Sequence, residues 1–214
     1  MKQEQAHQPI VEVYDDVEQG SEAWFSLRRG IPTASCFSLI LAAGAGRDKY
    51  RRRLAGEILS GLPAETFSNH AMQRGKDMEA EAFDYYANRH FATVRRVGFI
   101  RRRLPNGRWV GASPDGLIGH HKGLEIKTMQ PDLLIERLEG GTTMPSEHRA
   151  QVQGLMWIAD LDEVDLLLFY SGMPIAPKYN IKRDETYIKT LSNAIEVFDF
   201  ELHKLVEKIK KMSP

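Results

Sequence analysis

Along the first third of the chain the apolar positions recur at three- and four-residue spacing in short bursts, each fenced by residues that start or stop a helix. Ser21 precedes EAWFSLRR and Gly30 closes it, which predicts a short helix. A second is expected after Thr33, with Phe37, Ile40 and Leu41 on one face, and the segment GAGRDK breaks it as a mobile, glycine-bracketed basic loop. Helical spacing then covers residues 50–60 and 69–89, the longer run placing Met72, Met78, Ala82, Phe83 and Tyr86 near one side. From residue 92 the pattern turns β-leaning: Val94, Val97, Phe99 and Ile100, then Trp109-Val110, Gly116-Leu117-Ile118 and Leu124-Glu125-Ile126. Pro105-Asn106-Gly107 and residues 119–123 form the turns, so an antiparallel meander is expected.

Helical spacing returns over residues 131–138 and 146–159, residues 164–170 read as a buried strand, and an amphipathic helix is expected over 185–210. The opening residues carry little pattern, so 1–16 are expected to form a loosely ordered arm. No repeat or linker-like shift divides the chain. One α/β domain over 1–214 follows, with a central mixed sheet flanked by helices.

Composition narrows the class. With 42% hydrophobic and 27% charged residues the chain is globular in type, and Cys36, its one cysteine, excludes an intramolecular disulfide and a multi-cysteine zinc site. No run of about 18 uncharged apolar residues exists and the start lacks a secretory apolar core, so a cytoplasmic location without membrane contact is expected. The 29 basic residues balance the 29 acidic ones, but their distribution is uneven. No acid lies between Asp84 and Asp115, where Arg89, Arg95, Arg96, Arg101, Arg102, Arg103 and Arg108 fall; a second basic cluster runs from Arg47 to Arg53. Solvated face and phosphate contact are both open for these arginines.

The chemically informative stretch is Ser113-Pro114-Asp115-Gly116 followed, after nine intervening residues, by Glu125-Ile126-Lys127. Glu125 and Lys127 share a face because side chains alternate along a strand, and a short hairpin would bring Asp115 beside them. Two carboxylates with one ammonium suit a hard cation such as Mg²⁺ or Mn²⁺. Turn chemistry at Pro-Asp-Gly and an ordinary exposed Glu-x-Lys strand pair account for the same residues without a metal. A charged face on a sheet covered by helices on both sides favours the metal.

This arrangement resembles the core of the restriction-endonuclease-like nuclease superfamily, and its surroundings resemble the phage lambda exonuclease or viral alkaline exonuclease family. The matching pieces, in order, are Val17-Glu18-Gln19-Gly20 with Ala23-Trp24, Leu27-Arg28, Gly30, Thr33-Ala34-Ser35, Gly75-Lys76 with Glu79, Ser113 to Leu117, Gly123 to Lys127, and Ala150 to Gln153 with Met156-Trp157. The resemblance implies a Mg²⁺-dependent exonuclease, with two ions and Mn²⁺ as a substitute, that degrades one strand of duplex DNA from its 5′ end to mononucleotides. It implies Asp115, Glu125 and the backbone carbonyl of Ile126 as metal ligands, Lys127 as the residue positioning the attacking water, and Glu79 as a further acid, acting directly or through water. Arg28 and Ser35 correspond to residues holding the 5′-terminal phosphate, an assignment consistent with a helix start rich in N–H groups and hydroxyls and with the guanidinium fork. A homotrimeric ring and a single-strand annealing recombinase as partner are implied as well.

Gln151 and Gln153, two apart on a helix, point about 200° away from each other, so one of them faces the site. Gln153 is expected to, because Trp157 follows it by four residues as the family's aromatic does. Arg47, in the glycine-flanked loop, is a candidate for insertion into the DNA end. His120 and His121 read as a surface turn, and His148 ranks below Gln153 at the site. The rival functions are another superfamily nuclease, endonucleolytic or single-strand-specific, and a non-catalytic DNA-end-binding module.

Overall fold

The computed structural model describes residues 10–64, 70–141 and 143–212, with 70–77 as backbone alone. Residues 1–9 of the expected arm and the side chains of Met72 and Lys76 therefore lie outside the described part. The chain runs through β1 (Val11–Tyr14), α1 (Glu22–Arg28), a 3-10 turn (Ala34–Cys36), α2 (Phe37–Leu41), α3 (Ala45–Ser60) and α4 (His70–His90). Five strands follow: β2 (Val94–Arg95), β3 (Phe99–Arg103), β4 (Trp109–Ala112), β5 (Gly116–Ile118) and β6 (Lys122–Thr128). Then come α5 (Pro131–Glu139), a 3-10 turn (Ser146–His148), α6 (Arg149–Ala159), β7 (Glu163–Phe169), β8 (Lys178–Lys182) and α7 (Glu185–Lys210).

The described strands form two sheets, β1-β3-β4 and β2-β5-β6-β7-β8, and among these strand pairs β6 with β7 is the parallel one. The fold is thus of the expected α/β class, with a mixed central sheet, but the expected meander is divided between the sheets. Residues 11–14, expected in the loose arm, are instead an edge strand: Val11 pairs with Arg102 and Tyr14 with Phe99. The segment GAGRDK also differs from expectation. It does not form a mobile loop; Gly44 caps α3 and the helix begins at Ala45. Arg47 is accordingly fixed, its Nη1 2.7 Å from Glu201 of α7 and its guanidinium over the Phe198 ring.

Much of the arginine-rich stretch is likewise occupied within the molecule. Arg101 pairs with Glu12, Arg102 donates to the Trp157 carbonyl at 2.7 Å, and Arg108 meets the buried Asp199 at 2.6 Å. Arg96 lies over the Phe83 ring and lines a cleft.

Helices cover both faces of the larger sheet. Leu124 and Ile126 of β6 join Leu167 and Phe169 of β7 against Ala82 and Tyr86 of α4, and on the opposite face Leu134 of α5 packs on Leu166 and Leu168. Alternation along β6 therefore turns Glu125 and Lys127 away from α4, toward the face approached by α6. The apolar run of β7 is broken by Asp165, which is wholly buried. It accepts hydrogen bonds from the Tyr86 hydroxyl at 2.6 Å, the Asn180 amide at 2.8 Å and the Lys178 ammonium at 3.1 Å, with Lys122 at 2.9 Å.

Burial pushes the Asp165 carboxyl up, but the donors from Asn180, Tyr86, Lys122 and Lys178 outweigh it and hold the group at about 2. Because its folded value lies below the unfolded one near 4, its contribution of about 2 kcal/mol is present above that range and is lost as the pH falls toward 2. Urea unfolding from pH 5 down to pH 2 should therefore show wild type more stable than Asp165→Asn at the start and the two converging in acid. A gap that stays constant would contradict this role.

Candidate active site

The β5–β6 hairpin brings the two carboxylates together. Gly116 pairs with Leu124, so Asp115, one residue ahead of β5, falls opposite Glu125 in the continued register. Its backbone N–H donates to the Leu124 carbonyl at 3.1 Å, and its Oδ2 accepts the Ile126 N–H at 2.5 Å. A strand residue projects its N–H and C=O to the same edge, so the Ile126 carbonyl shares this edge with Asp115. Across β6, Lys127 Nζ donates to Glu125 Oε1 at 2.7 Å, and the Gln151 amide of α6 donates to the same oxygen. Glu79 of α4 lines the same cleft as Asp115.

That cleft encloses about 890 Å³ and carries Arg28, Arg29, Arg53 and Arg96 on its walls. A cavity of about 140 Å³ adjoins it, lined by Ser35, Ser113, Glu125 and Gln151, and Arg28 borders both. Helix α1 is set by its cap, the Ser21 hydroxyl oxygen accepting the Trp24 N–H at 3.2 Å. The chain turns away from it at Gly30, two residues past its end, where φ is +69° and a Cβ would stand 2.4 Å from Ile58 Cγ1. The Arg28 guanidinium stacks over the Trp24 ring at 4.0 Å and donates to Ser113 Oγ at 2.9 Å, which also accepts the Trp24 indole N–H at 3.0 Å. Burial pulls Arg28 below its ordinary value.

The electrostatics are those of a site short of positive charge. Glu125 is 4% exposed, while Asp115 keeps one edge open to the cleft. Burial pushes Asp115 well above the usual carboxylate range, with the charges of Glu125 and then Glu79 adding to it and Ile126 and Lys127 opposing. Burial also raises Glu125, with Lys127 and Gln151 pulling the other way. For Lys127, burial alone would lower the ammonium; the Glu125 carboxylate and Asp115 reverse this and hold it above its ordinary value. Two buried carboxylates against one ammonium fit a hard divalent cation, whose charge would relieve the strain between them. Among the described residues no three His, Cys, Asp or Glu side chains form a ready cage, so an ion here would draw on the Ile126 carbonyl and on solvent oxygens.

The structure thus gathers Asp115, Glu125, Lys127 and the Ile126 carbonyl, sets Glu79 in the same cleft, and places Arg28 and Ser35 at the adjoining cavity. Two candidates fall elsewhere. Gln153 faces away from the carboxylates: it is 2% exposed, donating to the Lys182 carbonyl and accepting the Asp184 N–H, each at 2.9 Å. Gln151, opposite it on the helix, is the glutamine at the site. Arg47 is held against α7 by Glu201. His120 and His121 are exposed at the hairpin tip, and His148, in the turn before α6, is held below its usual value by burial and then by the Lys127 charge. Ser113, Trp24 and Gln19 frame the Asp115 turn, a role that the sequence pieces containing them do not assign. Their signal is that Ser113-Pro114 leaves polar groups that a partner must satisfy.

The mixed sheet covered by helices matches the fold of an alkaline exonuclease. The chain belongs to the family of the YqaJ-like viral recombinase domain, whose model matches residues 23–162. It is similar to LHK-Exo, an alkaline exonuclease from Laribacter hongkongensis, with 29% identity, a TM-score of 0.81, and coverage of 89% of this chain and 97% of that one; the same values hold for the complex of LHK-Exo with dAMP. A phage-related exonuclease from Haemophilus somnus 129PT shares the fold at 16% identity and a TM-score of 0.62, over 86% of this chain and 99% of that one. No curated protein matches the chain in sequence.

The two glutamines should separate in stability measurements. Gln153→Ala removes a buried side chain that bonds both the Lys182 carbonyl and the Asp184 N–H and is expected to cost about 1 to 3 kcal/mol in urea unfolding. Gln151→Ala, at the rim of the cavity, should cost under about 1 kcal/mol. Equal losses would contradict the separation.

Proposed function

We propose that this chain is a metal-dependent 5′→3′ exonuclease that hydrolyses one strand of double-stranded DNA to 5′-mononucleotides and leaves 3′ overhangs for homologous recombination. The observation that carries the reading is the position of Arg28, which borders both the cleft holding Asp115 and the small cavity holding Ser35 and Glu125. A terminal phosphate held by Arg28 and Ser35 would fix the chain end beside the carboxylates, and a bond cut at a fixed short distance from an end releases mononucleotides. Family membership supports the reading, as does the likeness to an alkaline exonuclease that binds dAMP.

In this reading Asp115, Glu125 and the Ile126 carbonyl hold the cations, two Mg²⁺ by preference with Mn²⁺ as a substitute, and Glu79 contributes directly or through water. The ions, when bound, supply Lewis-acid charge at the phosphate and lower the pKa of bound water. Lys127, charged through its contact with Glu125, donates to the attacking water and orients it toward phosphorus. Gln151 keeps Glu125 Oε1 directed to the site by donating to it. Arg28 supplies a planar fork for phosphate oxygens, and its stacking on Trp24 reduces the freedom lost when the end binds. The family resemblance extends the proposal to a ring-shaped homotrimer and a single-strand annealing protein as partner. No described helix is long and apolar enough to cross a membrane.

Linear duplex DNA labelled separately at its 5′ and 3′ ends tests the proposal. Mg²⁺-dependent release of 5′-labelled mononucleotide before any 3′ label, abolished by EDTA, is expected. Internal fragments appearing first would establish an endonuclease, and binding without product under any divalent metal would leave an end-binding module. Asp115→Ala and Lys127→Ala should each lower turnover by about 100-fold or more while duplex binding persists. Arg28→Ala should instead remove the preference for 5′-phosphorylated over 5′-hydroxyl ends; equal rates on both ends in the wild type would contradict the phosphate pocket.

A further inference from the structure

The turn that aims Asp115 is gripped by a segment lying far ahead of it in the chain. Gln19 donates both hydrogens of its amide nitrogen, one to the Val97 carbonyl and one to the Pro114 carbonyl, each at 3.0 Å. Residues 17–20 lie this close because residue 98 is glycine: a Cβ there would stand 1.8 Å from the Val17 carbonyl oxygen. Trp24 adds a second grip, its indole N–H shared between the Gly98 carbonyl and Ser113 Oγ at 3.0 Å each.

The consequence lies in one peptide unit. Pro114 has no N–H, its ring fixes φ, and it keeps Ser113 extended, so the turn is stiff up to the Pro114–Asp115 peptide. Rotation of that peptide swings the root of the Asp115 side chain, whose far end, Oδ2, is held by the Ile126 N–H. The peptide is pinned on both sides, the carbonyl by Gln19 and the N–H by the Leu124 carbonyl at 3.1 Å. The Leu124 bond belongs to the hairpin, whereas the Gln19 bond comes from outside it. Among the described residues Gln19 is the donor that the Pro114 carbonyl has.

We infer that Gln19 is a positioning residue for the metal-binding carboxylate: by holding the Pro114 carbonyl it sets the direction of Asp115, and it acts through that residue. The inference rests on the proposed role of Asp115 as a metal ligand. Groups that orient a ligand from behind are typically worth about 10- to 100-fold in metal affinity.

Mn²⁺ binding to the full chain without DNA, followed by electron paramagnetic resonance, tests the inference. Gln19→Met keeps the length of the side chain and removes both donors. It should bind Mn²⁺ about 10-fold more weakly while its circular dichroism matches wild type, and its kcat on duplex ends should fall with KM unchanged. Gln19→Asn keeps the donors on a shorter arm, should lose less, and carries the test if the Met variant does not fold. Unchanged Mn²⁺ affinity in a folded variant, or a raised KM with unchanged kcat, would overturn the inference. Wild-type protein that binds no Mn²⁺ would overturn the metal role of Asp115 and this inference with it.

Discussion

Asp115 and Glu125 are held side by side in a place where protein surrounds them and one ammonium, that of Lys127, faces them. Carboxyls so enclosed lose hydration and are both pushed upward by burial, Asp115 further by the charges of Glu125 and Glu79. The rest of the structure keeps this unfavourable pair in place. The hairpin fixes their separation, the Ile126 N–H and the Gln151 amide each donate to one oxygen, and the apolar packing on both faces of the larger sheet provides the stability that such a site consumes.

The supporting shell comes from distant parts of the chain. Helix α1 and the turn before it approach the Asp115 turn from one side, with Gln19 from the turn and Trp24 and Arg28 from the helix, and α6 approaches Glu125 from the other with Gln151. One of these residues, Arg28, is also the cation that borders both cavities, so the short helix that braces the Asp115 turn also sets the charge between them. Gln153 contributes differently: it ties α6 to the start of α7, so that Gln151 is presented from a fixed helix.

What the sequence disclosed follows the range of the interactions. The hairpin with its carboxylates was legible because its turn residues and alternating pattern lie within a dozen positions, and α7 because amphipathic spacing persists over Glu185–Lys210. β1 was not: four residues carry too little pattern, and their partner strand lies about ninety positions on, as the contact of Arg101 with Glu12 shows. Arg47 resembled a free basic residue because its partner, Glu201, is 154 positions away. Helical geometry reduced the glutamines to a choice of one, but the choice was made by the Lys182 carbonyl and the Asp184 N–H, which no local pattern reveals.

The most direct test of this account is anomalous diffraction from crystals of the protein soaked in Mn²⁺. The account predicts density between Asp115, Glu125 and the Ile126 carbonyl, at distances of about 2.0 to 2.2 Å from their oxygens. Manganese found at the exposed His120-His121 turn, with none between the two carboxylates, would contradict it.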